Sequence, residues 1–556
     1  MAQYGINQPP ERKCSKRVFV NQAGYFETAE KTAVSAVKCD SFTVVDKSGK
    51  VCFEGKARHF GYDSNSGDDV YILDFSGLTE SGRYNIVTDS GESSLTFEIG
   101  GMVYDSVFHD MMKAFYYLRC GCGLTEKYAG RFAHDVCHNT MARLWEDHSC
   151  ELEVSGGWHD AGDYGRYVTA AACALAHLLY AWKLFPETFE NRCLNIPESG
   201  SGVPDILSEC RYELEWLLKM QRDDGAVYHK LTTAHHAPFV MPEDDKEQLY
   251  VFDISSMATA DFAAVCAAAS GIYRQYDIGF ADRLYKAAEK AYEWLSDNPE
   301  FAGFKNPEGN TTGGYGEWTD RDNRFWASAE MFAASGEERY HNDLKRALSE
   351  DISFTALGYS SIGGLGALAY IFSGQDNCDK EITEQLKKGF ITEAERLASI
   401  ADACGYGVSM SENDYCWGST MNLMKQAMIF ALTDIISGSD KYSRYAQAQM
   451  NCLLGVNALG YSYVSGTGEF CINYPHLRPA HADGIEECIP GMVSGGPNRK
   501  PCADDLEVVS FPENTPPMKS FADDVRCYSL NEITIYWNSP AVFALAFIIS
   551  RYNGND

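Results

Sequence analysis

Two hydrophobic rhythms divide the chain. From about residue 18 to residue 100, apolar residues come in short runs rich in Val, Ile, Phe, Thr and Tyr: VFVNQAGY, KTAVSAV, SFTVVD, KVCFEGKA, DVYILDF, RYNIV and SLTFEI. Runs of this kind, bounded by turn residues, read as strands. Asp46-Lys-Ser-Gly49 and Asp89-Ser-Gly91 supply hairpin-type connections. From Tyr104 the spacing changes to the helical period. Helices are predicted over Val107–Leu118, Val168–Leu184, Ile206–Met220, Met257–Tyr276, Ala281–Leu295, Ile362–Phe372, Ile391–Ala403, Met421–Ile436, Tyr442–Leu454 and Pro540–Tyr552, with strand-like runs nearly absent between them.

About seven strands in roughly 80 residues predict an immunoglobulin-like β-sandwich, placed at residues 14–100 with Gly100-Gly101 as the boundary. Roughly a dozen helical segments over residues 104–553 predict an all-α domain, either a solenoid or a closed barrel of helical hairpins. No fixed-period repeat is visible, which disfavours a regular solenoid. The loops between the helices are long and rich in Gly, Asp, Trp and His, a composition that usually carries function.

Composition narrows the function classes. The 556 residues are 45% apolar and 22% charged, so the chain buries a large core. Acidic residues number 78 against 47 basic ones, a formal charge of -31 that argues against nucleic acid or an anionic membrane as partner. No apolar run reaches the length of a membrane span. The N-terminal MAQYGINQPPERK is not a signal peptide, so the chain as it stands reads as cytoplasmic, or secreted if an upstream signal was removed. Nineteen scattered cysteines fit a reduced interior better than a disulfide framework. Nothing in the sequence sets an oligomeric state.

Four patterns carry candidate chemistry. In Gly156-Gly-Trp-His-Asp-Ala-Gly-Asp-Tyr-Gly165 a tight turn can aim Asp160 and Asp163 at one point. Two close carboxylates suit water activation; a calcium loop or a helix N-cap suits the same spacing. Glu532 stands amid apolar and aromatic residues before the last helix. Desolvation there suits a general acid, and a solvated glutamate at a helix start is the alternative. His476 and Arg478, in Tyr474-Pro-His-Leu-Arg478, suit hydrogen bonding to a polyhydroxylated ligand or a purely structural role. Cys120, Cys137, His138 and His159 form a C-x16-C-H-x20-H pattern suited to tetrahedral zinc, with Cys122, His134, His148 and Cys150 as rival ligands. Gly364-Leu-Gly366-Ala-Leu-Ala369 imitates a dinucleotide fingerprint but lacks the preceding strand, so it reads as a helix–helix contact. Asn310-Thr-Thr312 is a glycosylation sequon only in a secreted chain.

Taken together, SGGWHDAGDYGRY, LGVNALGYSYVSGTG, YPHLR, GGPN and SFADDVRCYSLNEITIYWNSP, in this order, make the chain resemble glycoside hydrolase family 9, in the branch with an N-terminal immunoglobulin-like domain. The resemblance runs from VFVNQAGY to WNSPAVFALAFI. It implies an (α/α)6 barrel and inverting hydrolysis of β-1,4-glucans such as cellulose and cellodextrins. It makes Asp163 the base, Asp160 its helper in holding water and Glu532 the acid. It makes His476, Arg478, Asp523 and Tyr528 substrate-binding or supporting residues. It places structural zinc on Cys120, Cys137, His138 and His159. For calcium it points to Asp205, Glu209 and Asp261, with Ser208 replacing a common acidic residue. Leu477 and Phe470 depart from the family's usual residues beside His476 and in the preceding loop. Trp318 and Trp417 are candidates to stack on sugar faces, with core burial as the alternative. The rival functions are hydrolysis of mixed-linkage glucan or xyloglucan, and non-catalytic carbohydrate binding; the latter needs no acid and base.

Overall fold

This computed structural model describes residues 8–10 and 12–552. The N-terminal stretch on which the leader reading rests, residues 1–7 with Glu11, and residue 553 of the expected helical domain lie outside them. The chain forms two compact units, Met1–Ala114 with Ala394–Asp556, and Phe115–Glu393.

The first unit begins with eight strands, β1 (Val18–Phe19), β2 (Thr32–Ser35), β3 (Ser41–Asp46), β4 (Val51–Lys56), β5 (Arg58–Asp63), β6 (Asp68–Asp74), β7 (Gly82–Thr88) and β8 (Phe97–Ile99). They pair antiparallel in two four-stranded sheets, ordered β1-β2-β6-β5 and β4-β3-β7-β8. Period-two alternation sends Phe42, Val44, Tyr84 and Ile86 inward from β3 and β7. They meet Tyr25, Leu73, Phe75 and Phe97 in one buried cluster. Burying each such side chain contributes about 1.5–3 kcal/mol. The Tyr25 ring stands edge-on to Phe75 and Phe97, at 5.1 and 5.5 Å. At the β3–β4 turn Gly49 takes φ 82° and donates to the Asp46 carbonyl at 2.9 Å, which is the expected hairpin chemistry. One strand, β5, has no counterpart among the seven predicted runs. It is an edge strand whose only buried residue is Asp63, so no apolar alternation announces it.

Among the described residues, twelve helices of nine residues or more follow: α1 (Asp105–Tyr117), α2 (Val168–Leu184), α3 (Asp205–Lys219), α4 (Ser256–Tyr273), α5 (Ile278–Asp297), α6 (Arg321–Ser335), α7 (Glu338–Ala347), α8 (Gly363–Ile371), α9 (Lys380–Asp402), α10 (Ser419–Ser437), α11 (Ser443–Leu453) and α12 (Ile535–Tyr552). Helices α6 and α7 are additions to the sequence reading. Helix α6 buries Asp322, Asn323, Ser328 and Glu330 together with its apolar residues, which blurs its 3.6-residue rhythm. Helix α7 is short and charged, with only Tyr340, His341 and Leu344 buried. The alanine-dense α2 and α4 are buried on nearly every side and pack on one another, and α4 also packs on α5 and α6. The Ser255 hydroxyl caps α4 by accepting from Ala258 N, and the Asp277 carboxylate caps α5 by accepting from Phe280 N.

Each unit has its own fastening. In the first, Asn21 Nδ2 donates to the Tyr104 hydroxyl and to Asn451 Oδ1, both at 2.9 Å, joining the sandwich to α11. Asp63 Oδ2 accepts from Gly405 N at 2.7 Å. Gly491, at φ 80°, presses on α1 so closely that an added Cβ would stand 2.0 Å from the Asp110 carbonyl oxygen. In the second unit, five short strands order as β10-β9-β13-β12-β11: β9 (Ala142–Leu144), β10 (Asp147–Leu152), β11 (Arg166–Tyr167), β12 (Lys230–Thr232) and β13 (Tyr250–Val251). At two to six residues they are too short to register as strand runs in the sequence.

Candidate active site and metal centre

The loop between β10 and β11 carries the two aspartates. It runs beside the chain leaving α1: Cys120 N donates to the Gly157 carbonyl and His159 N to the Leu118 carbonyl, each at 2.7 Å. Gly157 takes φ 77°, and a Cβ there would meet the buried Trp216 ring at 2.8 Å, so the approach requires glycine. Asp160 N donates to the Gly165 carbonyl at 2.9 Å and closes the turn.

That turn gives its two carboxylates different surroundings. Asp160 is 1% exposed; its Oδ2 accepts from the Tyr315 hydroxyl, and its Oδ1 is buried with no hydrogen-bond partner. Burial first, and the neighbouring Asp163 second, push the Asp160 carboxyl well above the usual range, which favours its neutral form. Asp163 Oδ2 accepts from Gly165 N at 3.2 Å and the Tyr167 hydroxyl at 3.1 Å, and stands 3.2 Å from His236 Nδ1. Two adjacent carboxyl groups in unlike surroundings can divide the tasks of a hydrolytic site. Tyr315, the residue that holds Asp160, has φ 46°, a conformation rare outside glycine.

Cys120, Cys137, His138 and His159 converge with their ligand atoms all within 4.8 Å of one another. His138 Nδ1 and His159 Nε2 are buried and have no hydrogen-bond partner, as expected of atoms reserved for a metal. The Cys120 thiol, with His138 and His159, holds the Cys137 thiol far below its ordinary value, while burial pushes Cys120 up. Asp245 Oδ2 lies 3.2 Å from His138 Nε2 and orients that ring from behind. Two thiols and two imidazoles in a closed group fit a structural metal. The rival ligands Cys122, His134, His148 and Cys150 fall outside the group.

The residues expected for calcium have other partners in this structure. Asp205 Oδ2 accepts from Leu194 N at 2.6 Å and from the Ser199 hydroxyl. Glu209 is held by the Arg119 guanidinium at 2.8–3.1 Å and by Trp158 Nε1 at 2.9 Å. Asp261 bonds Asn323 Nδ2 at 3.0 Å. The three carboxylates have three different sets of partners, with Asp261 Oδ2 buried and unbonded, and the Cys2His2 set is the one close group of three or more such ligands among the described residues.

In the first unit, Glu532 ends a one-turn helix, Tyr528–Asn531, and is half-buried. Its backbone is fixed on both sides: His476 pairs with Glu532 as in a parallel ladder, and Gly495 N donates to the Glu532 carbonyl at 2.8 Å. His476 Nδ1 donates to the Val525 carbonyl at 2.7 Å, which sets the tautomer and leaves Nε2 as the second ring nitrogen. Arg478 is 5% exposed at the start of the short helix Arg478–Ala482. The Tyr528 ring lies 5.9 Å from His476 and 5.2 Å from Trp417. Trp417 is 47% exposed and Trp318 98%, so core burial explains neither. Asp523 lies beside the same loop. Its side chain is 2% exposed, and its oxygens accept from Asn473 N and Tyr474 N at 2.9 Å and from Asn531 Nδ2 at 3.0 Å. It positions the loop that carries His476 and Arg478.

Sequence reasoning missed Tyr167, Tyr315, His236 and Lys230 around the aspartates. Tyr167 lay inside the quoted GRY motif, and Tyr315 between Gly314 and Gly316; no local signal marks His236 or Lys230.

Comparison with known proteins gives the class. The profile of glycosyl hydrolase family 9 matches residues 104–545, and that of the cellulase N-terminal ig-like domain matches residues 13–93. The chain belongs to glycosyl hydrolase family 9. It is 44% identical to a cellodextrinase of Butyrivibrio fibrisolvens, over 96% of this chain and all of that one. The solved structure of AaCel9A in complex with cellobiose-like isofagomine is 33% identical, with a TM-score of 0.91 over 96% of this chain and 100% of that one. A Zn-binding triple mutant of the family 9 endoglucanase J30 is 33% identical, with a TM-score of 0.88 over 95% of this chain and 99% of that one. The fold class is therefore an immunoglobulin-like sandwich followed by an all-α (α/α)6 barrel. The chain is a glycoside hydrolase of β-1,4-glucans.

Proposed function

We propose that the protein is an inverting cellodextrinase, acting on short β-1,4-linked glucose chains, with domains at residues 14–100 and 104–553. The observation that carries this reading is the Asp160–Asp163 pair, one carboxyl buried beside the Tyr315 hydroxyl, the other held by a tyrosine hydroxyl and a backbone amide. Asp163 takes a proton from the attacking water, and Asp160 helps hold that water. Glu532 donates its proton to the leaving glycosidic oxygen. Inversion of this kind works with acid and base carboxyls about 6.5–9.5 Å apart, which leaves room for the water. His476, Arg478 and Tyr528 bind sugar hydroxyls and faces, and Asp523 supports them. The full-length likeness to a cellodextrinase favours short chains over the polymer.

The metal in this reading is zinc, held by Cys120, Cys137, His138 and His159. A closed four-ligand zinc is structural and takes no part in the reaction. It ties the end of α1 to the turn that aims Asp160 and Asp163, because His159 directly precedes Asp160.

Reducing-sugar release from cellopentaose and from carboxymethyl cellulose, with proton NMR of the earliest products, tests the proposal. Rapid cleavage of the oligosaccharide, weak cleavage of the polymer and first-formed α-anomers are expected. First-formed β-anomers would exclude Asp163 as the water-activating base. Preference for xyloglucan or mixed-linkage glucan would exclude the substrate class.

A further inference from the structure

Lys230 is fully buried on β12. Its Nζ lies 2.7 Å from Asn306 Oδ1, 2.8 Å from Asn310 Oδ1, 2.9 Å from Thr312 Oγ1 and 2.6 Å from the Gly313 carbonyl. It also faces the rings of Phe252, Phe304 and Tyr167 at 4.6, 5.5 and 5.7 Å. Three of its four oxygen partners can only accept, so the protonated amine satisfies this nest and the neutral amine does not. Aromatic faces stabilise the same charge. Against this, burial draws the amine down to about 7, and the Asp163 carboxylate is the charge that opposes that descent.

The nest continues to the reacting group. Gly313, whose carbonyl binds Lys230, donates its N–H to the Tyr167 hydroxyl at 3.1 Å, and that hydroxyl donates to Asp163 Oδ2 at 3.1 Å. The geometry points to Lys230 as a positioning residue for the base: it fixes the 306–313 loop, aims the Tyr167 hydroxyl at Asp163, and supplies the buried positive charge that keeps Asp163 anionic. The inference rests on the reading of Asp163 as the base.

Other titratable groups bear on the same atoms. Asp160 faces Asp163 from its own loop, Tyr167 from the junction of β11 and α2, and His236 from the loop after β12. His229, beside Lys230, is lowered to about 3 by burial and stays neutral. His236 Nδ1 stands 3.2 Å from Asp163 Oδ2, and His236→Gln isolates its share.

The test is the pH profile of kcat on cellopentaose. Lys230→Met should move the acid limb up by about one unit and lower kcat about tenfold on that limb, with KM within about twofold. Asn306→Asp, which keeps Lys230 but neutralises its charge, should shift the limb in the same direction and keeps the question answerable if Lys230→Met fails to fold. An unmoved acid limb in Asn306→Asp, or in a folded Lys230→Met whose activity merely falls, overturns the inference. Asp163→Asn separates the two readings: activity with the wild-type acid limb in that variant sinks the base assignment, whereas its loss together with an unmoved limb in the other two sinks only the role of Lys230.

Discussion

At the scale of single residues, the site separates two like groups by environment. Burial favours the neutral form of Asp160, and Tyr315 compensates one oxygen only. Glu532→Gln should lower kcat on ordinary glucosides about 10²–10⁴-fold and leave KM or ligand affinity nearly unchanged. Wild-type turnover in that variant would remove Glu532 from the reaction. Asp160 also carries a stability consequence. Its folded-state affinity for a proton is raised, so its contribution to stability is whole below the ordinary aspartate range and declines as pH rises toward its folded value. Asp160→Asn should therefore raise Tm by a few degrees at pH 7, with the gap closing below about pH 4. Activity should fall in the same variant. Calorimetry at several pH values checks the sign, and an Asn variant less stable at neutral pH than at acid pH, relative to wild type, contradicts it.

At the scale of elements, the catalytic turn depends on what lies beside it. Its backbone bonds go to residues 118–120, which leave α1, and its tryptophan amide is taken by Glu213 of α3. The Cys2His2 group joins the same stretch. Cys137→Ser should release the metal, lower Tm and lower activity together, since metal binding to such a group is itself folding free energy. Each kcal/mol lost corresponds to about 1 °C in a domain of roughly 450 residues. Elemental analysis and thermal melts before and after treatment with a strong chelator check this. Full activity and an unchanged melt after complete metal removal would leave the four residues as ordinary packing.

At the scale of the whole molecule, the sandwich is more than an appended module. Asn21 is buried, and its bonds to Tyr104 and Asn451 would be left open by its removal; unpaired buried polar groups cost about 1–3 kcal/mol each. Asp63 holds Gly405 N, and Asp68 bonds the Tyr406 hydroxyl at 3.1 Å. A chain lacking residues 1–100 should therefore be insoluble or inactive. Expression followed by gel filtration and cellopentaose assay decides it, and a soluble, fully active truncation would make the sandwich dispensable.

Local patterning alone determined much of this protein. Strand alternation, helical period and turn glycines depend on neighbours a few residues apart, and they set out the sandwich, ten of the twelve long helices and the Asp160–Asp163 turn. The metal group was legible as a Cys and His pattern, two of its members adjacent, but only the structure separated it from its rivals. Tertiary structure decided the rest. Helix α6 hid its rhythm because polar residues are buried with the apolar ones. The edge strand β5 hid because nothing on it alternates. Which partners Glu209 and Asp523 take, Arg119 for the one and backbone amides for the other, was set by packing. Lys230, Tyr315 and His236 joined the aspartates from loops and strands 67 to 155 residues away in the chain, counted from Asp163 to Lys230 and from Asp160 to Tyr315. Which residues share a dielectric environment is a property of packing, and a pKa shifted by burial has no local signature in the order of residues.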